Sequence, residues 1–176
     1  RSMDRDVNVD YVKRPIRDFV GIMKSFYQLF FHNRISMMWS IRQALEKAET
    51  YDEAFHMLST APIISPVYYI ISGTEPGQGA VLTMDREGIY DVAKLDADNG
   101  IWYLVQTNYD RDLPDPKDDL RRVPAEKRMD SIGRANIDEG RLFMDVLALY
   151  PNNNEETIET VVYSAAKNSF NITLWI

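Results

Sequence analysis

The 176-residue sequence contains no cysteine. This absence excludes disulfide bonds, thiolate metal sites and a cysteine nucleophile among these residues. The sequence also lacks an unbroken apolar run of about 18 residues, the length needed to span a bilayer. Its first residues lack the apolar region of a signal peptide. Such a start is expected of a processed or truncated product.

Basic residues are too few to give the chain a positive face. Lysine and arginine total 20 against 27 aspartate and glutamate residues, so the formal net charge is −7 and the pI is about 4.9. Because nucleic-acid binding requires neutralisation of phosphates, this balance disfavours a nucleic-acid partner. The apolar share of 45% is that of an ordinary globular protein, and we predict one domain over residues 1–176.

The first 60 residues predict mainly helical structure. Apolar residues recur at helical spacing over 15–31, and a second helix is expected from Ile35 to Ala48. The sequence Thr50-Tyr51-Asp52-Glu53 resembles a capping box that opens a third helix. Pro62 ends this helical part, because proline breaks the backbone hydrogen-bond pattern.

Residues 61–176 predict antiparallel strands and two helices. Runs rich in β-branched and aromatic residues, joined by short turns, indicate a meander of four strands. The predicted strands are Val67 to Ser72, Ala80 to Met84, Tyr90 to Leu95 and Ile101 to Gln106. Helices are then expected at Ala125 to Ile132 and Asp138 to Leu149, with strands at Ile158 to Ser164 and Phe170 to Trp175. This order predicts an α+β fold.

Asn108 is the first candidate for chemistry, because it follows the apolar run 101–105 within a polar segment. A carboxamide can donate hydrogen bonds to a developing oxyanion. The same side chain could instead close an Asx turn in the following loop. The residue pattern alone leaves both interpretations open.

Two adjacent arginines follow the acidic pair Asp118 and Asp119. The guanidinium of Arg121 can hold a carboxylate or carbonyl group in a fixed fork. The common alternative for such clusters is a solvated ion-pair face, which contributes about 0–1 kcal/mol per pair. We expect Arg122 to take this solvated role.

The helix over 15–31 also has two interpretations. Its broad apolar face, which includes Phe30 and Phe31, is typical of core packing. Basic residues around it would equally suit contact with an anionic membrane, with the aromatic face exposed to lipid. The isolated residues His32 and His56 have no second ligand at metal spacing, so structural roles are expected for both.

Four segments together carry a resemblance to a known family. They are Val67 to Thr74, Gly79 to Arg86, Trp102 to Arg111 and Asp118 to Ala125. They resemble the β-subunit of the N-acylethanolamine acid amidase and acid ceramidase family. The resemblance implies an N-terminal-nucleophile hydrolase with a four-layer αββα sandwich and antiparallel sheet. Such enzymes cleave themselves to expose an N-terminal cysteine that hydrolyses lipid amides, without a metal or organic cofactor.

The resemblance also implies roles for individual residues. Asn108 matches the asparagine of the family's Thr-Asn-Tyr-Asp motif, which forms part of the oxyanion hole. Arg121 matches the first arginine of an active-site pair, and Asp4 aligns with a glutamate near the nucleophile. Substrate contacts are expected from the helix over 15–31. The expected contact residues are Phe26, Phe30 and Phe31. The sequon at Asn171 is a candidate glycosylation site.

The family's nucleophile has no counterpart in this sequence. The resemblance therefore implies an upstream nucleophile-bearing segment of the same precursor as partner, a lipid amide as substrate and a lysosomal or secreted location. The chain is expected to be inactive alone. The alternative is a non-catalytic lipid-binding or interaction domain that keeps the fold. Between the two substrates, Val67 to Ile70 and Gly73-Thr74 look closer to the acylethanolamine amidases.

Overall fold

The computed structural model describes residues 34–113 and 120–175, together with residues 19, 20, 23 and 27. These residues belong to two compact units. The described residues of the first unit fall within 1–71 and 79–94, and those of the second fall within 72–78 and 95–176. The predicted single domain, with a mainly helical part up to residue 60, stays a prediction.

Two capped helices follow the start of the continuous described segment at residue 34. Helix α1, Met37–Lys47, begins where the Ser36 side chain accepts a hydrogen bond from the Trp39 amide at 3.2 Å. Helix α2, Tyr51–Ser59, begins with the Thr50 hydroxyl accepting from the Glu53 amide at 3.2 Å. The predicted cap of α2 is confirmed, although the Glu53 carboxylate accepts from the amide of Glu49 and not of Thr50.

A three-stranded sheet follows the helices, in the order β1-β2-β3. Its strands are β1 at Val67–Ser72, β2 at Gly79–Asp85 and β3 at Gly88–Lys94. Strands β2 and β3 pair antiparallel, with a bulge between Thr83 and Met84. Strand β2 is buried along nearly its whole length, because it lies in the middle of the sheet. The core of the unit is Ala44, Leu58, Ile63, Val67, Tyr69, Leu82 and Met84.

The predicted fourth strand, Ile101 to Gln106, is wrong. Ile101 makes an isolated antiparallel bridge to Asp96, and residues 102–107 have no regular secondary structure. A short helical turn at Ala97–Asn99 precedes the run. The side chains of Trp102, Tyr103 and Val105 pack against a helical cluster in the second unit. Burial against a helix therefore explains the apolar character of this run.

The helices of the second unit begin with α3, Arg122–Ile132, three residues earlier than predicted. A turn at Arg134–Asn136 follows. Asp138 then caps the short helix α4, Glu139–Arg141, which continues into a π-helical segment at Leu142–Leu147. The core of this unit is Ala125, Met129, Ile132 and Val146.

A two-stranded antiparallel sheet ends the described chain. Strand β4 at Glu159–Ser164 pairs with β5 at Ser169–Leu174. One face of this hairpin is exposed and largely apolar, and we call it the outer hairpin face. It carries Val161, Tyr163, Phe170, Ile172 and Leu174. The helices and antiparallel sheets together confirm the predicted α+β fold.

Four residues of the predicted helix over 15–31 are described, and all four are helical. Their side chains are exposed: Phe19, Val20, Met23 and Tyr27. The rest of this helix lies outside the described residues, so the choice between core packing and membrane contact stays open. Within the described residues, none of the helices combines the length and apolar character needed to cross a membrane.

Candidate active site

The loop that carries Asn108 is held by side-chain hydrogen bonds to its backbone. The Gln106 carboxamide donates to the carbonyl oxygens of Thr107 and Tyr109, both at 2.8 Å. Arg111 donates to the carbonyl oxygen of Val105 at 2.9 Å. Asn108 itself lies exposed in a bend at the centre of this loop. Its backbone is therefore supported while its side chain is accessible.

Arg122 binds the same loop from the start of helix α3. Its guanidinium donates to the carbonyl oxygen of Tyr109 at 2.7 Å, to that of Asp110 at 3.4 Å and to the Thr107 hydroxyl at 3.5 Å. Only 8% of Arg122 is exposed. The expectation of a solvated ion-pair role for Arg122 is therefore wrong, because helix α3 carries this residue into the interior of the unit.

Arg121 and Asn108 line one cavity of about 620 Å³ in the second unit. Arg121 is the residue before helix α3 and is half-buried. Tyr109 and Leu120 complete this part of the lining. The structure thus brings together two of the predicted site residues, a carboxamide and a guanidinium.

The rest of the cavity lining comes from residues 150–157, which we call the asparagine turn. Its lining residues are Tyr150, Pro151, Asn154, Glu155 and Glu156. Within the turn, the Asn154 carboxamide accepts from the Glu156 amide at 2.9 Å and donates to the Pro151 carbonyl oxygen at 3.3 Å. The combined lining is polar, with one guanidinium and two carboxylates.

Among the described residues, Asn108 and Arg121 are the predicted site residues that line this cavity. Asp4, Phe26, Phe30 and Phe31 lie outside the described residues, as does His32. Asn171 is exposed on strand β5. His56 belongs to α2 and lines a separate surface cavity of about 670 Å³. Among the described residues, no group of three or more His, Cys, Asp or Glu side chains is arranged to hold a metal ion.

A tyrosine next to helix α3 has a shifted acidity. The Tyr103 hydroxyl donates to the Asp130 carboxylate at 2.8 Å. Burial, together with this hydrogen bond and the charges of Asp130 and Glu126, raises the pKa of Tyr103 from 10.0 to about 12. Tyr103 therefore stays neutral at physiological pH and serves as a hydrogen-bond donor to α3.

Comparison with known proteins decides the family. The chain is 43% identical over 143 residues to the N-acylethanolamine-hydrolyzing acid amidase of Mus musculus. It is 39% identical over 129 residues to the acid ceramidase of Homo sapiens. The chain belongs to the N-acylethanolamine acid amidase and acid ceramidase family. No protein-family model matches the sequence.

A solved structure of a member of this amidase and ceramidase family supports the fold. The Caenorhabditis elegans N-acylethanolamine-hydrolyzing acid amidase ortholog matches 90% of this chain with a TM-score of 0.70 and 28% identity. The predicted N-terminal-nucleophile hydrolase fold is thereby confirmed. The chain spans 39% of the mouse amidase, 32% of the human ceramidase and 62% of the nematode chain.

The sequence interpretation missed two parts of the site. It assigned no role to the asparagine turn, which lies between the helix predicted to end at Leu149 and the strand predicted to begin at Ile158. It also missed the buried position of Arg122. A signal was present, since Arg122 is spaced at helical intervals from the buried residues Ala125 and Met129.

Proposed function

We propose that this chain is part of a cysteine amidase that hydrolyses the amide bond of N-acylethanolamines or ceramides. The chain's place in an amide-hydrolase family supports the reaction class. The observation that carries the proposal is the shared cavity of Asn108 and Arg121. These are the two described residues that match active-site positions of the family.

The proposed chemistry divides the work between this chain and a nucleophile from elsewhere. Since the 176 residues contain no cysteine, the thiol comes from an upstream segment of the same precursor. The thiolate attacks the amide carbonyl, and the carboxamide of Asn108 donates a hydrogen bond to the oxyanion. The α-amine of the cysteine takes the thiol proton and gives it to the leaving amine, and water then hydrolyses the thioester to release the fatty acid and regenerate the thiol. Arg121 fixes the substrate carbonyl group with its guanidinium.

The test is co-expression of the chain with the cysteine-bearing segment of its precursor. Fatty-acid release from palmitoylethanolamide and from a ceramide is measured by mass spectrometry. The substitution Asn108→Ala should lower kcat by about 10²- to 10³-fold, the effect of removing one oxyanion donor. The control is Asn168→Gly, since Asn168 lies in a left-handed turn (φ 49°) that glycine accommodates.

The outcomes separate the enzyme from its alternative. Equal loss of activity in both variants, or none in Asn108→Ala, contradicts the assigned role of Asn108. If the co-expressed protein releases no fatty acid from either amide but still binds these lipids, the non-catalytic lipid-binding domain is correct. A lysosomal or secreted location is part of the same proposal and rests on the family resemblance.

A further inference from the structure

We infer that the asparagine turn forms a subsite for the amino-alcohol end of the amide substrate, with Glu155 and Glu156 determining specificity. The inference deepens the proposed function, on which it rests. It concerns the part of the cavity lining that lies more than 40 residues beyond Asn108 in sequence. No residue of this turn was a predicted site residue.

The chemistry of the lining selects the ligand group. Glu155 and Glu156 are exposed carboxylates and accept hydrogen bonds from hydroxyl and ammonium groups. Leu120 and Pro151 are the aliphatic members of the lining, so the cavity suits a polar group better than an acyl chain. An amino alcohol offers both a hydroxyl donor and, after hydrolysis, a cationic amine.

Hydrogen bonds anchor the asparagine turn to the residues that precede it and to helix α3. The Asn152 carboxamide donates to the Val146 carbonyl oxygen at 3.0 Å, and that of Asn153 to the Ala148 carbonyl oxygen at 3.4 Å. Arg128, from helix α3, donates to the carbonyl oxygen of Tyr150 at 2.7 Å. A turn anchored in this way limits the positions open to the backbone of Glu155 and Glu156 before the ligand arrives, which lowers the entropy lost on binding.

The size of the cavity leaves room for the amine part of the substrate together with its amide group. Its volume of about 620 Å³ lies within the usual range of small-molecule sites, about 300–1,000 Å³. Asn108 and Arg121 occupy the same cavity, which leaves the amide carbonyl within reach of these two residues while the amino alcohol contacts the turn. The subsite would therefore distinguish amides by their amine part.

The experiment is an NMR titration of the ¹⁵N-labelled chain with ethanolamine. We expect saturable shifts of the amide signals of Asn108, Asn154, Glu155 and Glu156. The double variant Glu155→Gln, Glu156→Gln should bind ethanolamine about 5- to 30-fold more weakly, the effect of losing exposed charge pairs. The control Glu159→Gln removes an exposed carboxylate of strand β4 that does not line the cavity, and its affinity should stay within about twofold.

Three results would overturn the subsite. They are the absence of saturable shifts at these residues, an unchanged affinity in the double variant, and tighter binding of acetate than of ethanolamine. Acetate binding would mean that Arg121 makes the cavity a site for anions. The titration needs no nucleophile, so its failure is distinguishable from failure of the proposed function. If the chain binds ethanolamine but the co-expressed protein hydrolyses no amide, the subsite proposal stands and the proposed reaction is wrong.

Discussion

At the scale of single residues, Arg121 and Arg122 show how neighbours of one type acquire different roles. Arg121 lines the cavity, whereas Arg122 is buried and binds the backbone of the Asn108 loop. The two residues are of the same type and follow the same acidic pair, so neither feature could predict that their roles differ. The difference depends on where helix α3 begins, and the sequence pattern predicted that start at Ala125.

The buried guanidinium of Arg122 should contribute to stability. The substitution Arg122→Met retains much of the side-chain volume but removes the guanidinium that donates to the carbonyl oxygens of Tyr109 and Asp110. We expect the free energy of unfolding to fall by about 2–3 kcal/mol, the cost of removing hydrogen bonds made by a buried charged group. Urea denaturation measures this change. The exposed residue Arg134 provides the control, and Arg134→Met should alter stability by less than about 0.5 kcal/mol.

Tyr103 should make stability depend on alkaline pH. Its pKa is about 12 in the folded chain and near 10 when unfolded, so the stabilisation is fully present below pH 10 and is lost as pH rises toward 12. At pH 8, Tyr103→Phe should lower the unfolding free energy by about 1 kcal/mol, because it removes the hydrogen bond to Asp130. The difference between the two proteins should shrink above pH 10. A constant difference up to pH 12 would refute this explanation.

At the scale of elements, local signals predicted structure where local interactions determine it. The cap at Thr50 predicted the start of α2. The alternation of apolar runs with turns predicted strands β1 to β3 close to their observed bounds. The strand predicted over 101–106 is wrong. An apolar segment can be buried as a strand in a sheet or as irregular chain against a helix, and periodicity cannot distinguish the two. The π-helical segment at Leu142–Leu147 similarly has no simple sequence signature.

The cap of α2 offers a test at this scale. Thr50→Ala removes the acceptor of the Glu53 amide and should lower the unfolding free energy by about 1 kcal/mol. Thr50→Ser keeps the hydroxyl and should retain most of the stability. Both changes are measured by urea denaturation with circular dichroism. Equal losses in the two variants would show that the methyl group, and not the hydrogen bond, matters.

At the scale of the whole molecule, distant segments meet in ways that sequence patterns do not reveal. Asn108 and Arg121 were predicted from their motifs, but the asparagine turn completes the cavity through packing in three dimensions. Arg128 contributes to this packing by bonding Tyr150, which is 22 residues away. The motifs therefore predicted Asn108 and Arg121, and the fold was needed to find which residues surround them.

We also predict that Asn171 is glycosylated when the chain passes through a secretory pathway. The residue is exposed on strand β5 within the sequon Asn171-Ile172-Thr173, so a glycan has room there. Chain produced in a secretory host should carry one N-linked glycan that an endoglycosidase removes, as intact mass shows. Asn171→Gln and Thr173→Ala should each abolish it. A glycan that persists in either variant must be attached at another residue.

The outer hairpin face has a practical consequence for handling the protein. Phe170 and Leu174 are 66% and 63% exposed there, and contiguous apolar surface favours aggregation at high concentration. The net charge of −7 opposes this at neutral pH through mutual repulsion. Colloidal solubility should therefore be lowest near the pI of about 4.9, so crystallisation trials in acidic buffers would meet precipitation first.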